Sequence, residues 1–123
     1  MVVLMIEKRQ AVEQLDEILA VPGIDMIQWG PSDYAMSIGR PGGWYDADVR
    51  EVEQDVLIRS LAAGIQPRAE ITEPAEAQRY LDLGVRHFAI GTDTQILATW
   101  WRERGAGLAD ILGVESGAVV GDR

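Results

Sequence analysis

The sequence predicts an α/β protein built on a parallel sheet. Three observations carry this. Short apolar runs alternate with amphipathic stretches in the order β-α-β-α-β-α-β-α, which implies right-handed crossovers between parallel strands. The first run, Val2 to Ile6, is continuously apolar, as a strand buried on both faces should be. A faint repeat also links two units: Gly23-Ile24 leads to Trp29-Gly30 and then Asp33, and Gly84-Val85 leads to Ile90-Gly91 and then Asp93.

After Val2 to Ile6, the apolar residues Ala11, Val12, Leu15, Ile18 and Leu19 recur at helical spacing. Glu13, Asp16 and Glu17 fall on the other face, and Pro22-Gly23 stops the helix. Ile24 to Gly30 reads as the second strand. Pro31 to Gly43, with three glycines and two prolines, reads as a long loop. Asp46 or Asp48 caps a helix to about Ala63, with Val49, Val52, Val56, Leu57, Ser60 and Leu61 on its inner side and Gly64 as its stop. Ile65 to Ile71 is a weaker strand, because Pro67 interrupts it. Pro74 to Leu83 is a helix with Thr72 as its cap and Gly84 as its stop. Val85 to Gly91 is the fourth strand. Thr94 to Arg104 is the last clear helix, with a continuation after Gly105 to Leu112. These elements define one domain over residues 1–113, and residues 114–123 read as a tail.

Composition narrows the function. The chain has 123 residues, 47% apolar and 25% charged, as a single soluble domain would. A net charge of -9 argues against nucleic acid and anionic membrane surfaces. There is no cysteine, so disulfides, thiolate metal sites and cysteine nucleophiles are excluded. No run approaches the roughly 18 apolar residues of a membrane span. The opening MVVLMIEKRQ has no basic n-region or cleavage site, so a cytoplasmic protein is expected.

In α/β proteins chemistry gathers at the C-terminal ends of the strands. Glu7, the Gly30 to Asp33 loop, Glu70 or Thr72, and Asp93 would meet there. Glu7 and Asp33 are the metal candidates, since hard divalent cations take carboxylates and keep open positions for a chelating substrate. Both also have structural readings: Glu7 as a charge at the next helix N-terminus, Asp33 in an Asx-turn. Gly30 and Ser32 allow close backbone approach, so the amides of Ser32 and Asp33 could face a carboxylate. A plain strand-to-helix turn is the alternative. Trp29, which directly precedes Gly30, could wall a pocket. His87, the only histidine, lies within a strand and reads as a structural or surface residue. Trp100 and Trp101 read as core and interface residues. No nucleophilic triad, dinucleotide fingerprint or P-loop is present.

One combination is more specific than any of these motifs alone. Met5-Ile6-Glu7, Ala11-Val12, Leu15 to Asp25, Gly30-Pro31-Ser32-Asp33 and Ser37-Ile38-Gly39, continued by Ala77, Arg79 to Gly84 and Gly91-Thr92-Asp93, resemble the class II pyruvate aldolases of the HpcH/HpaI type. The likeness runs to about Leu112. It implies a TIM barrel, of which this chain looks like the second half, since such barrels take ~250 residues. It implies that Glu7 and Asp33 hold Mg²⁺, Mn²⁺ or Co²⁺. Gly30, Ser32 and Asp33 then hold the carboxylate of a 2-oxo acid, with Trp29 beside them. The activity implied is reversible aldol cleavage to pyruvate and an aldehyde.

The resemblance also implies that the family's histidine base and substrate arginine belong to the other half, so no catalytic residue is identified here. Met5 stands where some members have glutamine. The expected partners are a second copy or a separate N-terminal half, with Trp100 and Trp101 suited to an interface. The rival reading is a non-catalytic half-barrel that serves binding or assembly and still takes a metal and a 2-oxo acid.

Overall fold

A computed structural model describes residues 1–114. Four strands form one parallel sheet in the order β1-β2-β3-β4: β1 Val3–Ile6, β2 Met26–Trp29, β3 Gln66–Ile71 and β4 His87–Ile90. The α/β class with four parallel βα units is therefore observed. The chain divides into two compact units, Met1–Ile90 and a second that begins at Gly91. The sheet lies wholly in the first.

Register decides which side chains share a face. Val3 pairs with Met26 and Ile6 with Trp29; Gln28 pairs with Arg68, and Arg68 with His87. Alternation then puts Ile6, Ile27, Trp29, Ala69 and Ile71 on one face. All five are buried under helices, together with Leu15, Tyr34, Val49, Val56, Leu57 and Tyr80. The opposite face carries Met5, Gln28, Arg68, Glu70 and His87, of which Met5, Glu70 and His87 are exposed.

The helices differ from the sequence expectation in four places. The first stretch is two short helices, α1 Arg9–Glu13 and α2 Leu15–Leu19, because Gln14 leaves helical geometry at φ -104°, ψ 19°. Pro31 to Gly43 is not all loop: Pro31–Ser37 forms α3. Pro31 sits in the first turn, where its missing N–H costs nothing and its fixed φ suits a helix. The helix α4, Ala47–Ala62, begins after Asp46 as expected and buries Val49, Val56, Leu57 and Ser60. The Ser60 hydroxyl donates to the Val56 carbonyl at 2.7 Å, which lets a polar residue sit fully buried.

Thr72 does not cap the next helix. Glu73 and Glu76 form a capping box around a 3-10 turn, Pro74–Glu76, that leads into α5, Ala77–Leu83. The Glu76 carboxylate accepts from the backbone N–H groups of Glu73 and Thr72, and these bonds hold its pKa below the usual range. Gly84 ends α5 at φ 100°, which only glycine adopts readily.

Pro67 stays within β3 and is fully buried. β4 begins to pair only at Arg68, so one side of the strand at Pro67 carries no ladder partner. In the second unit, α6 runs unbroken from Asp93 to Leu112, through Gly105 and Gly107. Thr92 caps it by accepting from the Gln95 N–H at 3.4 Å. Of the expected tail, residues 115–123 lie outside the described residues. No described helix is long and apolar enough to cross a membrane.

Candidate metal and substrate site

β1 ends at Ile6, and the Gly30 N–H donates to the Ile6 carbonyl at 3.0 Å. Glu7 therefore emerges beside Gly30, on the Met5 and Gln28 face. Its side chain covers the glycine. A Cβ at Gly30 would lie 2.7 Å from Glu7 Cβ, 3.1 Å from Glu7 Oε2 and 3.3 Å from Met5 Cγ. Gly30 has φ -115°, open to any residue, so the demand for glycine here comes from Glu7 and not from backbone strain.

Asp33 sits in the first turn of α3. It meets Lys8 Nζ at 3.6 Å, and Lys8 is the residue after Glu7. The two acids named from the sequence, Glu7 just past β1 and Asp33 in the first turn of α3, thus both stand at the C-terminal end of the sheet. Asp33 is drawn there by a half-exposed ion pair of small worth, which a cation could replace.

Ser37 joins the same segments. Its hydroxyl accepts from the Arg9 N–H at 3.0 Å and donates to the Tyr34 carbonyl at 2.7 Å, tying the start of α1 to the end of α3. The first hydrogen bond of α3 runs from Tyr34 N–H to the Gly30 carbonyl at 2.9 Å. The N–H groups of Ser32 and Asp33 precede it, in the turn where helix amides have no internal partner.

The donor set suits a hard divalent cation, because it offers two carboxylates, and water or a chelating ligand can fill the remaining positions. Among the described residues no three acid, imidazole or thiol side chains converge as a closed metal cage. The arrangement fits a cation held in an open site.

Trp29 needs correction. It lies on the helix side of the sheet, 3% exposed, with its ring 4.8 Å from that of Tyr34. Period-two alternation turns it away from Glu7 and Gly30, so it supports the core and walls no substrate pocket. His87 is the first residue of β4, exposed, and level with Arg68. It stands at the Arg68 level, one inward-facing step before Glu7, but three strands across the sheet from it.

Sequence reasoning missed two polar groups. On the Glu7 face, Gln28 is 5% exposed and joins Arg68 to Glu70. The available signal was a glutamine inside the apolar run Met26–Trp29. On the helix side, the Tyr80 hydroxyl donates to Glu53 Oε1 at 2.9 Å, and Arg79 donates to the Tyr80 oxygen at 2.6 Å. Burial pushes the Glu53 carboxyl up, and burial with the Glu53 charge pushes the Tyr80 phenol up.

A parallel sheet with two acids at the C-terminal ends of its strands, one folded over a glycine, has the arrangement of a barrel enzyme's site-bearing face. Comparison with known proteins makes the class specific. Residues 1–99 match the family model described as HpcH/HpaI aldolase/citrate lyase, and the chain belongs to that family. It is 39% identical over 98 residues to a hydroxypyruvate/pyruvate aldolase of Roseovarius nubinhibens, covering 80% of this chain and 38% of that protein. It is 37% identical over 115 residues to a 4-hydroxy-2-oxo-heptane-1,7-dioate aldolase of Salmonella newport, covering 93% and 42%.

Among solved structures, citrate synthase SbnG superposes with a TM-score of 0.79 at 30% identity, covering 92% of this chain and 45% of that one. An HpcH/HpaI aldolase/citrate lyase family protein from Burkholderia cenocepacia J2315 gives 0.76 at 26% identity, covering 86% and 41%. The chain spans about two fifths of the length of the curated relatives it matches.

Proposed function

We propose that this chain is the metal- and pyruvate-holding part of a carbon–carbon lyase. Its reaction is reversible aldol cleavage of a 2-oxo acid to pyruvate and an aldehyde. The observation that supports this best is the Glu7 carboxylate lying over Gly30, with Asp33 in the first turn of α3, in a chain of the HpcH/HpaI family.

Glu7 and Asp33 would hold Mg²⁺, Mn²⁺ or Co²⁺, which when bound supplies Lewis-acid polarisation of the 2-oxo acid's oxygens. Gly30 leaves room for the acid to approach the backbone. The Ser32 and Asp33 amides offer it two donors; Pro31 offers none. Lys8 must release Asp33 as the cation enters.

No side chain of this chain is assigned as the base. His87 stands on β4, three strands across the sheet from Glu7. A complete site needs a further histidine or carboxylate from another part of the barrel, provided by a separate N-terminal half or by a second copy. The second unit carries Leu97, Trp100 and Trp101 exposed on α6, suited to an oligomer contact. A cytoplasmic setting fits a chain with no cysteine.

The test is titration of the purified chain with Mg²⁺, Mn²⁺ and Co²⁺ in the presence of pyruvate, beside a Glu7→Ala/Asp33→Ala variant. Binding by the wild type alone supports the site. Equal binding by both, or by neither, sinks it.

A further inference from the structure

We propose that Arg68 holds a carboxylate of the substrate in this chain, and that Gln28 sets it in place. The inference rests on the reading that the Glu7 and Gly30 end of the sheet takes a 2-oxo acid; it adds the residue that supplies the positive charge.

The placement comes from the register. Arg68 pairs with Gln28 and so shares the face that carries Met5 and Glu7. Two residues further along each strand stand Glu70 and Gly30, at the level of Glu7. Arg68 therefore lies one step below the gap left by Gly30, on the strand next to it.

Its guanidinium is held in one orientation. Gln28 Oε1 accepts from Arg68 Nε at 2.7 Å and from Arg68 Nη2 as well. Gln28 Nε2 donates to Glu70 Oε2 at 3.3 Å. The amide orientation is forced: arginine has no acceptor and an ionised carboxylate no donor, so the oxygen must face Arg68 and the nitrogen Glu70. At 5% exposure, with both ends engaged, Gln28 has little freedom to turn.

Two of the five guanidinium N–H groups are used in this way, and the other three have no protein acceptor among the described residues. No carboxylate lies within 4.0 Å of Arg68 among the described residues, whereas Arg9 has one and Arg40 and Arg59 have two each. A half-buried, oriented, unpaired guanidinium on an otherwise acidic chain is an unusual expenditure of desolvation on a parallel sheet, whose faces are ordinarily apolar.

The ligand class follows from charge. Glu7 and Glu70 flank Gly30 and repel an incoming carboxylate. Lys8, the nearby amine, is engaged with Asp33. Arg68 is the cation on this face that offsets the repulsion, and a planar fork with free donors matches a carboxylate. That carboxylate is either the one beside the oxo group or a second, distal one.

The experiment uses the purified chain with three probes: Mn²⁺ by electron paramagnetic resonance, and pyruvate and 2-oxoglutarate by calorimetry. Arg68→Gln is expected to weaken 2-oxo acid binding about 10-fold or more while Mn²⁺ affinity without acid changes less than about twofold. Arg68→Lys, which keeps the charge, should recover most of the loss. Gln28→Met, which frees the guanidinium, should show a smaller loss of the same kind. Loss for both acids assigns Arg68 to the carboxylate beside the oxo group; loss for 2-oxoglutarate alone assigns it to the distal one.

Unchanged affinity for both acids in a folded Arg68→Gln chain overturns the proposal, as does absence of acid binding by the wild type. A purely structural role would lower the melting temperature of Arg68→Gln and leave acid affinity untouched. Failure of the metal reading would appear separately, as absence of Mn²⁺ binding by the wild type.

Discussion

Gly30 and Glu7 constrain each other, so Gly30→Ala reports on the site directly. The backbone accepts alanine at φ -115°, but the new Cβ would sit 2.7 Å from Glu7 Cβ. Glu7 or the strand end must move, an overpacking cost of about 1–3 kcal/mol. Gly30→Ala should therefore lower the melting temperature and weaken Mn²⁺ binding. Adding Glu7→Gly removes the clashing carbon and should restore the melting temperature without restoring the metal. A Gly30→Ala chain that melts like the wild type would show that the close approach does not exist.

Glu53 gives a second prediction at the same scale. Burial raises its pKa above the ordinary 4.5, against the opposing effects of the Tyr80 hydrogen bond, Arg79 and Arg50. The native state then holds this proton to higher pH than the unfolded chain does. The contribution is fully present below the unfolded value and is lost as pH rises through the native one. Glu53→Gln cannot ionise yet keeps an acceptor for the Tyr80 hydroxyl. It should melt above the wild type at about pH 7.5 and level with it at about pH 4. The reverse order would show that the carboxylate is favoured by its arginine neighbours.

At the scale of elements, α6 tolerates two interior glycines that each cost roughly 0.5–1 kcal/mol against alanine. A Cβ at Gly105 or Gly107 would meet nothing within 4 Å. Gly105→Ala/Gly107→Ala should therefore raise residual helicity near the melting point by circular dichroism; a lower helicity would mean that something covers those positions.

The same helix shows what was legible in the sequence. Its apolar spacing announced it and its reach to Leu112; Gly105 only suggested a break, which does not occur because a glycine's helix-breaking propensity is weak beside the rest of a long helix. The strands were legible as apolar runs and Glu7 and Asp33 as acids at their ends. The α3 helix was hidden by glycine and proline on either side, although Pro31 followed by Asp33 is itself a helix-start pattern. Trp29 was misplaced because nearness to Gly30 along the chain was taken for nearness in space. The period of two, applied from Gly30, would have turned it to the opposite face. The tie from Gln28 to Arg68 and Glu70 joins strands some forty residues apart, and only the register β2 to β3 reveals it.

At the scale of the molecule, the central question is what covers the face that holds Met5, Gln28, Arg68 and His87. Purely parallel sheets ordinarily have both faces covered, and β1 and β4 stand at the sheet's edges. The helix-side core is well filled, so the first unit can hold its strands in register and keep Glu7 beside Gly30. Binding and turnover should then separate. On the proposed reading, binding uses Glu7, Asp33, the first-turn amides of α3 and Arg68, all of which belong to one unit. Turnover also needs a proton acceptor within reach of the reacting atoms. Of the described carboxylates near the site, Glu7 and Asp33 would be committed to the cation and Glu70 is tied to Gln28, while the one histidine lies three strands across the sheet from Glu7. The purified chain should therefore bind pyruvate in the presence of Mn²⁺ and release no pyruvate from a 4-hydroxy-2-oxo acid in a coupled lactate dehydrogenase assay. Pyruvate release by the chain alone would show that it contains its own base. His87→Gln would then be the variant to assay, because loss of that release would make His87 the proton acceptor despite its place on β4.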